Sequence, residues 1–558
     1  MRAYIAILAG FFAVQPAQVE AQRAYMVAAA HPMAAEAGRA VLAGGGSAAD
    51  AAVAVQVMLT LVEPQSSGLG GGAFMLYWDA SAGTLQTYDA REKAPAAADG
   101  DYFTGADGEP MAWPDAVPGG LSVGVPGVPL LLETVHQDHG RLPWAGLLEP
   151  TIQAADQGFE VTPRLSQSTG MFAARDLEVW GQADRYFNAS EGGLEVGSTL
   201  RNRAFARTLR LMADQGAAPF YSGSIAGDIV AATSRARTNP GMMTMEDLAD
   251  YTVENRAPVC FAYRVYEICG MGPPTSGGLT MGLILGQLEQ FDLASMGPTA
   301  EAWHLYIEAS KRAFADRGRF MGDADFVDIP DLLDRAYVES RAATIDPTAA
   351  GGQARAGEPP MQDTRYAPQL TDHEQGTTHF VIVDRYGDMV SMTSSIESAF
   401  GSRLLVGGML LNNQLTDFSF RSERNGNPIA NRVEGGKRPR SSMSPTIVFR
   451  DGAPYLLIGS PGGSRIIGYT TQAIISVLDF GMTLEEAFAY GHIVNRNGEE
   501  TDVEEGTEAA NLAPALEALG HGVNLRDLTS GLHAILVTDD GLTGAADPRR
   551  EGVALSAE

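Results

Sequence analysis

Apolar positions along this chain follow two rhythms. From Ala34 to Leu61, Ala, Val and Leu recur at helical spacing, and the run is interrupted at Gly44-Gly45-Gly46-Ser47. A short hydroxyl side chain just ahead of a periodic run satisfies the first free N–H groups of a helix, so Ser47 predicts the cap of a second helix packed on the first. Beyond Gly68-Leu69-Gly70-Gly71-Gly72, the run Ala73-Phe74-Met75-Leu76-Tyr77-Trp78 reads as a buried strand, with Thr84 to Ala90 as the partner that delivers Arg91. From about Gly119 to Pro347, helical patterns alternate with polar loops and no repeat emerges.

From Pro347 to Asp372 the composition shifts to Pro, Gly, Ala, Gln and Asp, which predicts an exposed, mobile connector. Alternation returns directly after it. Thr377 to Val383 predicts a strand, Asp384-Arg385-Tyr386-Gly387-Asp388 a turn, and Met389 to Ser395 the returning strand. Pairing Val383 with Met389 sets Thr377 opposite Ser395 with Cβ atoms about 5 Å apart, so that two hydroxyls meet on one face.

A chain of 558 residues is long enough for about three to four units or one large interwoven one. With 45% hydrophobic and 19% charged residues, 64 Gly and 30 Pro, it is globular and loop-rich, neither fibrous nor disordered, and a helix-only fold is excluded. A net charge of −29 argues against nucleic acid or an anionic membrane as partner. An anionic ligand remains compatible wherever a local Arg or a cluster of N–H groups neutralises it. Arg2, the apolar run Ala3 to Val14 and the exit Val19-Glu20-Ala21 form the pattern of a cleaved signal peptide over residues 1–21, which predicts export to the periplasm or beyond. That run is shorter than the roughly 20 residues that span a bilayer. Only two cysteines occur, Cys260 and Cys269. If the stretch between them folds back as a hairpin, their sulfurs face each other and can bridge; if it runs as one strand, no bridge forms.

Candidate chemistry narrows quickly. The nine histidines are scattered, and the near neighbours His136 and His139 lack a ligand set, so no metal is expected. Neither a Gly-x-Ser-x-Gly elbow nor a phosphate loop is present, and no cofactor is expected. The informative blocks are Gly376-Thr377-Thr378-His379, Leu411-Asn412-Asn413-Gln414-Leu415-Thr416-Asp417-Phe418, Lys437-Arg438-Pro439-Arg440-Ser441-Ser442-Met443-Ser444-Pro445 and Gly459-Ser460-Pro461-Gly462-Gly463-Ser464-Arg465. With Gly45 to Ala54 and Asp89-Ala90-Arg91-Glu92, they resemble the γ-glutamyltransferase (γ-glutamyl transpeptidase) family over nearly the whole mature chain.

The resemblance implies an α+β fold, the four-layer αββα sandwich of the N-terminal-nucleophile hydrolases. It also implies a precursor that cuts itself between Gly376 and Thr377, giving a large subunit, 22–376, and a small one, 377–558, in one interwoven unit. A threonine hydroxyl needs an adjacent base, and an N-terminal threonine supplies its own α-amine, whose pKa near 8 suits neutral pH. Gly376, without a Cβ, tolerates the backbone geometry of the cut.

By the same resemblance Ser395 stands where the family has a threonine that hydrogen-bonds the nucleophile. Arg91, Ser441 and Ser442 hold a donor's α-carboxylate, Gln414 and Asp417 accept from its α-ammonium, and the N–H groups of Gly462 and Gly463 form the oxyanion hole. The lesser alternative for Arg91 is a surface salt bridge with Glu92 or Asp89. Glu397 replaces the family's asparagine; a carboxylate there also accepts from an ammonium but disfavours a donor without one. The segment between Asp417 and Ser441 is shorter than in lid-bearing members, which implies a more open cleft. The expected substrates are a small γ-glutamyl donor such as glutathione and, as acceptor, water, an amino acid or a peptide. A glutaryl or cephalosporin-type acylase and an inert exported binding protein are the competing readings.

Overall fold

The computed structural model describes residues 24–173, 177–360, 366–369 and 376–557. The leader read over 1–21 lies outside the described residues, as do 361–365 and 370–372 of the connector. The described parts of that connector are irregular and mostly exposed, as read, but dock near residue 366. Tyr366 and Ala367 are buried, and Ala367 N donates to Pro428 O at 2.9 Å.

Two antiparallel sheets form the centre. The first has seven strands in the order Val553–Ser556, Met26–Ala29, Thr378–Val383, Met389–Ser395, Gly72–Asp79, Thr84–Ala90 and Glu254–Asn255. The second has six, in the order Gly541–Ala546, His533–Thr538, Ala453–Gly459, Thr446–Arg450, Tyr266–Gly270 and Val259–Tyr263.

Alternation along the strands builds the layers, because successive side chains point to opposite faces. Val381 and Val383 meet Phe74, Leu76, Ile447, Leu457 and Ile535 between the sheets. Phe380 and Ile382 turn the other way, into a core shared with the helices Pro32–Ala43 and Ala48–Val62. On the far side Val448, Leu456 and Ile458 pack on Gly277–Leu288, Ala300–Phe320 and Ile466–Leu478. This is the expected αββα sandwich.

The glycine-rich break behaves as read. Ser47 caps the helix Ala48–Val62, accepting from Asp50 N at 3.2 Å while Ser47 N donates to Asp50 Oδ2 at 2.9 Å. Apart from Asp50, Gln56 and Thr60 that helix is apolar, and it is buried along its whole length, packed among its helix neighbours and the first sheet. Of the two readings of the cysteine pair, the hairpin holds: Cys260 lies directly opposite Cys269, and the two form a disulfide.

Candidate active site

The Met389–Ser395 strand pairs with Thr378–Val383 in the expected register, Met389 with Val383, up to Ser394 opposite Thr378. Thr377 and Ser395 are the next positions along this ladder, at the sheet's end. Thr377 Oγ1 contacts the Gly376 carbonyl oxygen, and Ser395 Oγ donates to the same oxygen at 3.0 Å. The two hydroxyls thus converge on the carbonyl ahead of Thr377, whereas the strand register alone led to the expectation that they would meet each other.

A turn holds that peptide. Glu397 N donates to Ser395 Oγ at 2.8 Å, and Gly376 N donates to Glu397 O. A Cβ at Gly376 would collide with the same Glu397 carbonyl, so this position accepts only glycine without rearrangement. Glu397 is buried in a left-handed conformation, φ 75°. Asn413 Nδ2 donates to its carboxylate, while Asn413 Oδ1 accepts from Ser398 N at 2.9 Å. Asn413 thereby orients the turn, a role that the sequence did not reveal although the motif contains it.

Arg91 leaves the end of the Thr84–Ala90 strand fully buried. Its Nη2 donates to Asp417 Oδ2 at 2.5 Å and to Arg440 O at 3.1 Å, and its Nε donates to Pro439 O at 3.1 Å. Gln414 Nε2 donates to the same Asp417 oxygen at 2.7 Å. Arg91, Gln414 and Asp417 therefore form one buried constellation, with Arg91 paired to Asp417 rather than chiefly to Glu92 or Asp89. Asp89 accepts from the Arg91 backbone N at 2.9 Å through Oδ1, and from Arg256 Nε at 2.7 Å and Arg438 Nη1 at 3.2 Å through Oδ2.

Ser441 and Ser442 close the other side. Ser441 Oγ accepts from Met443 N at 3.1 Å, and Ser441 O accepts from Ser276 N at 2.8 Å. Ser442 Oγ accepts from Arg317 Nη2 at 2.7 Å, and Arg317 Nε donates to Ser276 Oγ at 2.8 Å. A hydroxyl that accepts from a guanidinium directs its own proton elsewhere, which suits an anionic ligand. Arg317 lies in the helix Ala300–Phe320, outside every motif that pointed to the site.

Gly462 and Gly463 occupy the loop before the helix Ile466–Leu478, both with positive φ, 136° and 62°. A buried arginine joins this loop to Thr377. Arg550 Nη1 donates to Thr377 O at 3.4 Å and its Nε donates to Ser530 O at 2.7 Å, while Gly531 N donates to Ser460 Oγ at 3.3 Å. Burial, with Arg164 nearby, lowers the Arg550 pKa to about 9.

Glu92 is fully buried beside this constellation, its Oε2 3.7 Å from Arg91 Nη1. Burial raises its pKa from the ordinary 4.5 to about 8, against the opposing pull of Arg91. His379 has its Nδ1 2.8 Å from Thr393 Oγ1, and burial holds it well below the ordinary imidazole value, so it is a neutral core residue. Among the described residues one grouping of metal-ligating type occurs, His304, Glu308 and His521. Its carboxylate is already paired with Lys311 and Arg312, each at 2.8 Å, and lies about 14 Å along the helix from Arg317.

The family model for gamma-glutamyltranspeptidase matches residues 34–557. A glutathione hydrolase proenzyme of Bacillus subtilis (strain 168) is 34% identical over 552 residues, 96% of this chain and 92% of that protein. One of Escherichia coli (strain K12) is 35% identical over 539 residues, 94% of this chain and 90% of that protein. Among solved structures, a cephalosporin acylase from Bacillus halodurans superposes with a TM-score of 0.86 at 27% identity, over 99% of each chain.

Proposed function

We infer from a chain that belongs to the gamma-glutamyltranspeptidase family that it is an enzyme cleaving γ-glutamyl amide bonds, made as a precursor that cuts itself at Gly376–Thr377. The observation that carries the reading is the convergence of Thr377 Oγ1 and Ser395 Oγ on the Gly376 carbonyl.

In maturation Thr377 Oγ attacks the Gly376 carbonyl carbon, and the C–N bond breaks to leave an ester and a free α-amine. Ser395 donates to the carbonyl oxygen as it gains charge. Water opens the ester, leaving Gly376 as a carboxylate. In turnover the Thr377 amine takes the hydroxyl proton, and Oγ attacks the donor's γ-carbonyl. The N–H groups of Gly462 and Gly463 stabilise the oxyanion. The leaving amine departs with the proton held by the α-ammonium, and water or another amine then resolves the γ-glutamyl-Thr377 ester. Arg91, Ser441 and Ser442 seat the donor's α-carboxylate, the arginine while still bound to Asp417. Gln414, Asp417 and Glu397 seat its α-ammonium. The leader expected over residues 1–21 supports an exported enzyme.

The likeness to a cephalosporin acylase makes a glutaryl-type donor, which lacks the α-ammonium, the second reading. Intact-mass analysis and N-terminal sequencing of the purified protein test the precursor: a fragment beginning at Thr377 is expected. Release of p-nitroaniline from γ-glutamyl-p-nitroanilide in preference to its glutaryl analogue is expected of the donor seat, and the reverse preference would transfer the assignment to the acylase.

A further inference from the structure

Behind the glycine loop lies a closed circuit of hydrogen bonds that neither the cut nor the donor seat uses. His492 Nε2 is 2.6 Å from Ser530 Oγ, and Ser530 Oγ donates to Asp547 Oδ2. Arg549 Nη1 donates to Asp547 Oδ1 at 3.0 Å, and its Nη2 donates to Glu504 Oε2 at 2.7 Å. Glu504 Oε2 accepts in turn from His492 N at 3.0 Å, which closes the circuit. His492, Ser530, Asp547 and Glu504 are all buried. Burial opposes ionisation of Asp547, yet the Arg549 guanidinium beside it holds its carboxyl below the ordinary value. Burial, with Arg549 nearby, lowers the His492 pKa to about 3, so the imidazole is neutral. Ser530 has one proton and gives it to the carboxylate, so His492 donates through Nε2. A single tautomer completes the circuit, and it fixes the orientation of the imidazole.

Two contacts carry that orientation to the loop. The imidazole lies against the Tyr469 ring, centroids 4.2 Å apart, and a Cβ at Gly462 would stand 2.6 Å from Tyr469 Cε2. The Gly462 backbone thus rests directly on the side chain that His492 supports. At the start of the loop, Gly531 N, next to Ser530, donates to Ser460 Oγ at 3.3 Å, and a Cβ at Gly531 would stand 2.7 Å from Pro461 Cγ. In an interior packed this closely, a shift of the imidazole or of Ser530 displaces the loop as well.

We propose that His492 is a positioning residue for the oxyanion hole: through Ser530 and Tyr469 it sets where the N–H groups of Gly462 and Gly463 point. The role rests on the γ-glutamyl reading above, in which those N–H groups face the oxygen that gains charge. Formation and resolution of the Thr377 ester both pass through such an oxyanion, so either step slows when its hydrogen-bond donors shift. The α-carboxylate and α-ammonium of the substrate are seated elsewhere, and self-cleavage draws on Ser395 instead.

The test uses the self-cleaved protein with γ-glutamyl-p-nitroanilide. His492→Leu, which fills the space without a hydrogen-bond donor, is expected to self-cleave, to keep the KM within about twofold and to lose kcat about 10²-fold. His492→Gln places an amide N–H near the position of Nε2 and is expected to recover about tenfold of that loss. Ser530→Ala removes the same bond from its other end and is expected to match His492→Leu, with the double variant no slower than either single one. Should His492→Leu fail to accumulate, Ser530→Ala and His492→Gln carry the same comparison. An unchanged kcat, a His492→Gln as slow as its leucine counterpart, or losses that multiply in the double variant would overturn the inference. Wild-type protein that releases no p-nitroaniline would instead overturn the γ-glutamyl reading.

Discussion

The Thr377 hydroxyl performs both reactions proposed for this chain: it breaks its own preceding peptide bond and then attacks donors. Thr377→Ala is therefore expected to remain a single chain by intact mass and to lose at least about 10⁴-fold in turnover. A variant that still splits at this position would remove the mechanism. Ser395→Ala removes a donor to the Gly376 carbonyl oxygen, and self-cleavage is expected to slow by about 10²-fold when followed by gel after synthesis. Glu92 adds a pH dependence. Burial raises its pKa from 4.5 to about 8, so the folded protein holds this proton more tightly than the unfolded chain does. The resulting stability is fully present below the ordinary carboxylate range and is lost as pH rises through about 8. Denaturant midpoints are expected to fall across that window and to fall less in Glu92→Gln. Above it the ionised carboxylate competes with Asp417 for Arg91, so the donor KM is expected to rise in the wild type only.

Among the elements, the hairpin that positions Thr377 and the capped helix pair were legible because local rules determine them. Two-residue alternation fixes the register from Val383 opposite Met389, and Ser47 with Asp50 closes a capping box within four residues. Arg317 was not legible. It meets Ser442 across a separation of 125 residues, from a helix whose pattern shows only periodicity. The depth at which Glu92 is buried depends likewise on strands and loops that the sequence does not bring together. Arg317 also yields a prediction. Helix Ala300–Phe320 is anchored by a large apolar core, so Arg317→Ala is expected to fold and self-cleave while the donor KM rises about tenfold, the effect of losing one charge-assisted hydrogen bond behind the carboxylate seat. A rise in KM with little change in kcat separates this positioning role from damage to the nucleophile.

At the scale of the molecule, the proposed cut divides a chain whose halves are already woven together. In the first sheet Thr378–Val383 runs between Met26–Ala29 and Met389–Ser395, and Met389–Ser395 in turn lies against Gly72–Asp79. In the second sheet Thr446–Arg450 pairs with Tyr266–Gly270. Strands from before and after Gly376 thus interleave in the first sheet and meet at one ladder in the second, and their side chains share the core between the sheets. Separating the pieces would expose unpaired strand edges and that core together, so the fold holds them whether or not a peptide bond tethers them. The cleaved protein is therefore expected to elute from a sizing column at the position of the uncleaved Thr377→Ala variant, and to resolve into two bands only in denaturant. Two peaks in native buffer would show that residues 22–376 and 377–558 form separable domains, contrary to the interleaved strand order.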